Sequence, residues 1–397
     1  MREVWLGEPA SIDELRSALA EALDGGPTVL PLDARDPSAE KLRAAMAPDQ
    51  PVEPGTAVII ATSGSTGEPK GVLLSVKALT SSATATHDRL GGPGRWLLAT
   101  PAHYIGGLQV LVRSLLAGTP CAVVPPGPFR PDVFAEAAET ALRGEGPRYT
   151  AMVPTQLTRL IEAGGAGLDA ARAFDAIVIG AAATPPKLRE QAAEAGVRIV
   201  PAYGMSETAS GCVYDGVPLD GVRAEVGEDE RIRLSGPVLA HGYRLRPGLT
   251  SEVFTGGWFR TGDRGRFRDG KLEVIGRVDD VINTGGVKVS AAAVERVLAG
   301  CEGVRESCVV GLPDAEWGHI VAAAVVPDAA SATAPAADRL RAAVREAAGP
   351  AAVPKRLEFV ASLPLRGPGK IDRASVVSGI FGHAIDTKPE DGVHSGA

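Results

Sequence analysis

The residues best suited to chemistry lie between Ala57 and Ser75, AVIIATSGSTGEPKGVLLS, where a short apolar run opens into a loop of glycines and hydroxyls closed by a lysine. Val58, Ile59 and Ile60 suit a buried strand. Thr62, Ser63, Ser65 and Thr66 supply hydroxyl donors, and Gly64 and Gly67 let backbone N–H groups approach an anion. Lys70 adds a point charge. Together these are the parts of a phosphate-binding loop. It is not a Walker A motif, which needs G-x-x-x-x-G-K-[ST], because Glu68 and Pro69 separate Gly67 from Lys70 and Gly71 follows.

The elements that must position this loop are legible on either side of it. Ser11-Ile12-Asp13-Glu14 resembles a capping box, and Ile12, Leu15, Leu19 and Leu23 recur at helical spacing before Gly25-Gly26 ends the pattern. Strand-like runs at Val29-Leu30, Val58-Ile60, Trp96-Ala99, Ala122-Val124, Ala176-Ile179 and Arg198-Pro201 alternate with helix-like segments, which predicts α/β layering. Shorter strands are expected around 231–234, 266–267 and 272–275. After Arg277 the pattern restarts with a helix from Ser290 through Leu298, strands near 308–310 and 321–326, a helix at 338–347 and a strand at 357–360. This predicts a compact α+β unit of about 100 residues. Pro327 to Pro335 reads as a loop, and the polar tail 384–397 as disordered.

A chain of 397 residues exceeds what one hydrophobic core usually serves, so two domains are expected. With 45% hydrophobic but only 4% aromatic residues, the core has to be built from Ala, Val and Leu. The net charge of −7 offers no basic field to a nucleic acid or an anionic bilayer, which argues against both as partners. No apolar run reaches the roughly 18 residues of a membrane span, and Met1 to Trp5 lacks a signal-peptide core, so a cytoplasmic location is expected. Cys121, Cys212, Cys301 and Cys308 form no C-x-x-C pair, and the six His show no H-E-x-x-H spacing. A homo-oligomer stays open.

The segment TSGSTGEPKG, Thr62 to Gly71, resembles the signature phosphate loop of the adenylate-forming enzymes, the superfamily of acyl-CoA synthetases, luciferases and nonribosomal peptide adenylation domains. Further matches follow in the family's order: Tyr203-Gly204-Met205-Ser206-Glu207-Thr208, Trp258-Phe259-Arg260-Thr261-Gly262-Asp263, Gly276-Arg277-Val278-Asp279-Asp280 with Gly285-Gly286, and Gly367-Pro368-Gly369-Lys370-Ile371-Asp372-Arg373. The resemblance implies a large α/β N-terminal domain, residues 1–278, for AMP and acyl substrate, and a smaller, mobile α+β C-terminal domain, residues 279–383. The phosphate loop begins earlier than in many members, so the N-terminal domain is expected to be trimmed.

The implied activity has two steps. A small carboxylic acid and ATP, with Mg²⁺, give an acyl-adenylate and pyrophosphate; the thiol of coenzyme A then displaces AMP. By resemblance, Thr62, Ser63, Gly64, Ser65, Thr66, Gly67 and Lys70 hold the β- and γ-phosphates. Glu207 supplies the hard oxygen that Mg²⁺ prefers. Tyr203 stacks on adenine, and Ser206 donates to phosphate or acyl group. Asp263, at an expected turn after Thr261-Gly262, accepts both ribose hydroxyls, with Arg277 a second ribose contact. Lys370 neutralises charge developing on the carboxylate and α-phosphate. Asp279 is the hinge, and Gly285 and Gly286 line the pantetheine tunnel. Gly180, in Ile179-Gly180-Ala181-Ala182-Ala183, belongs to the adenine-flanking loop, although this chain has Ala where members usually place more Gly.

Substrate choice falls on Thr100 to Gly118, TPAHYIGGLQVLVRSLLAG, which lacks the Asp an amino-acid adenylation domain would use for its substrate's ammonium. It most resembles the CoA ligases acting on 2-succinylbenzoate in menaquinone biosynthesis. The alternatives are another aryl or acyl acid CoA ligase, or a catalytically silent nucleotide-binding homologue, against which Lys70, Glu207, Asp263 and Lys370 argue. Where the family has P-x-[aromatic]-H, this chain reads Pro101-Ala102-His103-Tyr104, so either His103 or Tyr104 is the gating ring. Arg113 is the one charge in the run Leu108 to Leu116, and on a helix packed at the cleft it needs an anionic partner. The aromatic carboxylate of succinylbenzoate supplies one, with Gln109 four residues earlier sharing the contact. The competing reading is a structural arginine paired with a protein carboxylate or reaching solvent.

Overall fold

The computed structural model describes residues 1–62, 68–328, 335–365 and 371–382, so Ser63, Gly64, Ser65, Thr66, Gly67, Lys370 and the C-terminal tail lie outside the described residues. The chain divides into two compact units, Met1–Val274 and Ile275–Ala397, ahead of the division expected after Val278.

Among the described residues the first unit is built on three sheets. The largest has seven strands in the order Val217–Pro218, Ser210–Tyr214, Ile199–Met205, Ala176–Ile179, Arg148–Met152, Arg95–Leu98 and Cys121–Val123. From Ile199–Met205 onward they run parallel, and the first two are added antiparallel. A parallel sheet is covered on both faces, and its side chains divide accordingly. Trp96, Leu98 and Val178 join a core with Leu79, Leu108 and Val112. Leu97, Ile177 and Ile179 face the other way, onto Phe134, Leu157 and Leu160.

A five-stranded sheet carries Arg2–Leu6, Val29–Asp33, Val58–Thr62, Lys70–Leu74 and Gly242–Tyr243. Its first three strands are parallel and the last two antiparallel. The third sheet is antiparallel, with Trp258–Arg268 between Arg231–Ser235 and Phe254–Thr255. The expected capping box does not form. The helix Ala10–Leu23 starts before Ser11 and has Pro9 at its N-cap; the Ser11 hydroxyl donates to the Glu8 carbonyl at 2.5 Å.

In the second unit Val287–Ser290, Val281–Thr284, Gly318–Pro327 and Val304–Asp314 lie side by side, with Arg356–Phe359 parallel to Gly318–Pro327. The helices Ala291–Ala299 and Ala337–Ala348 set Val294, Leu298, Leu340 and Val344 against Val309, Val321 and Val325. The Ser290 hydroxyl caps the first of these by accepting from the Ala293 N–H at 3.3 Å. No helix among the described residues is long and apolar enough to cross a membrane.

Candidate active site

Val58–Thr62 and Lys70–Leu74 form a hairpin whose last pair is Thr62 with Lys70. The Thr62 hydroxyl donates to the Lys70 carbonyl at 3.3 Å, at the end of the hairpin. The Lys70 ammonium stands 5.6 Å from the ring centroid of Tyr243. Ile199–Met205 ends in a single 3₁₀ turn, Ser206–Thr208, that carries Ser206 and Glu207. Thr208 fastens that turn: its hydroxyl accepts from the Met205 N–H at 3.0 Å and donates to the Ser210 carbonyl at 2.7 Å. The Tyr243 hydroxyl donates to Glu207 Oε1 at 2.8 Å, and burial followed by the Glu207 charge pushes the phenol's pKa up.

Among the described residues no group of three or more His, Cys, Asp or Glu could hold a metal by itself. Glu207 instead fits the usual Mg²⁺ arrangement, in which one carboxylate shares the ion with substrate phosphates and waters. Its two oxygens are not equivalent, since Oε1 is engaged by Tyr243.

Asp263 does not sit at a turn. It lies within the strand Trp258–Arg268, where the register against the neighbouring strand slips between Arg231↔Arg264 and Arg233↔Arg260. The resulting bulge holds Thr261, Gly262 and Asp263. The Thr261 hydroxyl donates to the Ile232 carbonyl at 2.8 Å and accepts from the Asp263 N–H at 3.0 Å, which fixes the bulge. Asp263 Oδ2 accepts from the Tyr203 hydroxyl at 2.8 Å, joining two motif residues 60 positions apart. Burial, then the Asp263 charge, raises the Tyr203 pKa. Gly180 donates its N–H to the Met152 carbonyl at 3.0 Å, and among the described residues a Cβ there would meet only the Ala202 carbonyl, at 3.7 Å. Ala181 takes φ +68°, so this chain carries a methyl where a left-handed backbone favours glycine.

The helix Ile105–Ala117 begins after Tyr104, whose ring centroid is 4.0 Å from that of His103. Gly107 lets it approach the preceding loop, since a Cβ there would lie 2.4 Å from the Pro101 carbonyl. His103 Nδ1 is 3.9 Å from Asp33 Oδ2, and burial lowers its pKa. Gln109 commits its amide N–H to the Leu79 carbonyl at 3.2 Å and leaves Oε1 enclosed without a partner.

Arg113 is only 1% exposed. Its Nε and Nη2 are enclosed without a hydrogen-bond partner, and among the described residues no carboxylate pairs with it. The guanidinium lies 4.9 Å from the Trp96 ring centroid. Trp96 is fixed in turn by donating Nε1–H to His87 Nε2 at 3.2 Å. Burial, reinforced by the Arg113 cation, pushes His87 down to about 4, so it accepts as the neutral ring. Trp96, His87 and Tyr243 are absent from the sequence expectations. Trp96 sits in a strand-like run where an aromatic reads as core, and neither His87 nor Tyr243 has a spacing that marks it.

The second unit is described by itself. Arg277 donates to Asp279 Oδ2 at 3.0 Å on its surface. Gly285 and Gly286, at φ +56° and +82°, form the two-residue turn between Val281–Thr284 and Val287–Ser290. A Cβ on Gly285 would lie 2.6 Å from Trp317 Cε3, whereas one on Gly286 would meet nothing within 4 Å among the described residues. Arg373, which follows the segment containing Lys370, is held by Glu295 through contacts of 2.6 and 3.0 Å and by the Val309 carbonyl at 2.8 Å.

The profile of the family described as AMP-binding enzyme matches residues 8–243, and that of the AMP-binding enzyme C-terminal domain matches residues 293–370. A probable 2-succinylbenzoate–CoA ligase of Mycobacterium tuberculosis is 43% identical over 350 residues, covering 87% of this chain and 90% of that protein. Among solved structures, an Escherichia coli MenE variant with bound OSB-AMS is similar at a TM-score of 0.77 and 25% identity, over 95% of this chain and 87% of the other. A variant of the amide bond synthetase McbA from Marinactinospora thermotolerans is similar at a TM-score of 0.79 and 25% identity, over 95% and 88%.

Proposed function

The chain belongs to the AMP-binding enzyme family, and we propose that it joins 2-succinylbenzoate to coenzyme A through an acyl-adenylate, a step of menaquinone biosynthesis. The succinyl carboxylate attacks the α-phosphorus of ATP and pyrophosphate leaves. The sulfur of coenzyme A then attacks the acyl carbonyl and AMP leaves. Lys70 and the hydroxyls from Thr62 onward take the triphosphate, and Glu207 ligates Mg²⁺, which offsets phosphate charge when bound. Asp263, its carboxylate steadied by Tyr203, takes the ribose. Lys370 serves adenylation, and Gly285 and Gly286 admit the thiol. The partners are small molecules, and the enzyme works in the cytoplasm.

The observation that carries the substrate is Arg113. A buried guanidinium with unpaired N–H groups is costly, and neither a carboxylate among the described residues nor solvent takes it up. The aromatic carboxylate of succinylbenzoate has the charge to complete it. The experiment is pyrophosphate exchange over a panel of acids, followed by addition of coenzyme A. Exchange should be strongest with 2-succinylbenzoate and fall when its aromatic carboxylate is absent. Equal exchange with the analogue 4-oxo-4-phenylbutanoate, or no thioester on addition of coenzyme A, would overturn the assignment.

A further inference from the structure

Tyr243 stands between the site's cation and its anion. Its ring carries Lys70 on one side, and its hydroxyl reaches Glu207 Oε1. The backbone around it is held from three directions. Gly242–Tyr243 pairs with the strand that begins at Lys70, placing Tyr243 opposite Val72. The Tyr243 N–H donates to the Thr250 hydroxyl at 2.9 Å. The Ala240 N–H donates to the Glu207 carbonyl at 2.8 Å, so the segment leading into Tyr243 is stitched to the Glu207 turn.

Arg244 anchors the far end of this strand. Its guanidinium donates to the carbonyls of Met46, Ala47, Gln50 and Pro51 and to Glu53 Oε2. Gly71 makes room for that packing, because a Cβ there would lie 2.4 Å from Met46 Sδ and 2.9 Å from Arg244 Cβ. A short edge strand fixed in this way can hold one side chain in one place.

We propose that Tyr243 is a positioning residue, which holds Glu207 by one carboxylate oxygen so that the other is presented to the divalent ion, and which keeps that carboxylate from collapsing onto Lys70. Without the hydroxyl the carboxylate is free to swing toward the ammonium, and the pair neutralises itself at the expense of metal and phosphate. This rests on the reading of Glu207 as the metal ligand, but not on which acid is activated.

The test is Mn²⁺ binding, followed by electron paramagnetic resonance, to the full chain with a non-hydrolysable ATP analogue and no carboxylic acid. Removing a hydrogen-bond partner of a metal ligand costs about 10- to 100-fold in metal affinity. Tyr243→Phe should therefore weaken Mn²⁺ binding at least about 10-fold. Glu207→Gln is the reference for loss of the ligand. Thr250→Ala loosens the same strand, and Tyr243 with it, but keeps the phenol hydroxyl, so it should weaken Mn²⁺ binding less than Tyr243→Phe does. Retained affinity in Tyr243→Phe alongside a loss in Glu207→Gln would overturn the proposal. An equal loss in Thr250→Ala would do the same, by assigning the effect to the strand. If Glu207→Gln itself binds Mn²⁺ normally, the metal reading of Glu207 fails and the proposal falls with it.

Discussion

Replacing Arg113 by methionine should separate function from folding. Met is unbranched and fills irregular apolar space, so it can follow much of the path of the arginine stem. Two enclosed nitrogens, Nε and Nη2, are without a hydrogen-bond partner in the unliganded protein. A hydrogen bond to a charged group contributes about 1.5–3 kcal/mol, so losing the substrate carboxylate's contact should cost about that much, roughly a 10- to 150-fold fall in kcat/KM. Stability should not fall. An unsatisfied buried polar group costs about 1–3 kcal/mol, and more when it is charged, while the stacking on Trp96 returns up to about 2 kcal/mol, so removing the arginine should leave the empty protein as stable as wild type or more stable. Were it half of a buried ion pair, its removal would instead cost about 3–5 kcal/mol. The assay pairs steady-state kinetics on 2-succinylbenzoate and 4-oxo-4-phenylbutanoate with urea unfolding of the unliganded protein. Selective loss on succinylbenzoate with stability unchanged or raised is expected. Equal loss on both acids, or a collapse of stability, would refute the reasoning.

Lys370→Ala should slow adenylate formation by about 100- to 1,000-fold, while thioester formation from supplied acyl-adenylate survives; an equal fall in both contradicts its assignment to the first step. Gly286→Ala meets no packing clash, so beyond about 1 kcal/mol of backbone strain it should slow thioester formation and leave pyrophosphate exchange intact. Normal CoA-ester production would remove Gly286 from the thiol's path. His87 has a folded pKa of about 4 against an ordinary value of 6.5, so between those values the unfolded chain binds more protons. Its contribution is therefore fully present above about pH 6.5 and is lost as pH falls toward 4, at about 1.4 kcal/mol per pH unit. Urea midpoints at pH 7 and pH 5 should drop further for wild type than for His87→Gln; equal drops would show that His87 does not carry the effect.

What could be read from the sequence is what depends on neighbours in the chain. The apolar run Ala176–Ile179 is a strand buried along its whole length, and the Ser290 cap starts its helix as the pattern requires. Asp263 was misread as a turn residue because Thr-Gly-Asp has turn composition; the bulge exists because the partner strand slips register, which no local pattern records. Ser11 was misread because its hydroxyl found the Glu8 carbonyl inside the first turn. Tyr243 meets Glu207 across 36 residues and Arg244 reaches Met46 across 198, contacts that only the folded sheet brings together. For Arg113 the sequence did carry a signal, the cost of a lone charge in an apolar helix. It could not show that Trp96 and His87 lie beneath it.

Positive φ outside glycine is not confined to the candidate site: in the first unit Ala47, Glu230 and Leu245 adopt it as well. Asp215 and Asp269 also adopt positive φ, but each precedes a glycine in a hairpin turn, where Asp tolerates that conformation. Ala181, Ala209 and Ser210, at φ +68°, +49° and +98°, have no such excuse. The first follows Gly180, and the other two follow the turn that carries Glu207. Such residues cost about 1–3 kcal/mol each and persist only where the surroundings over-determine them. The Ser82 hydroxyl holds the Ala209 carbonyl at 2.9 Å, and the Thr208 hydroxyl holds that of Ser210 at 2.7 Å. These bonds keep the Glu207 turn from relaxing, as Tyr243 fixes its side chain. A carboxylate fixed at both backbone and side chain needs little rearrangement when a metal–nucleotide complex arrives, and the strain is the structural cost of having it ready.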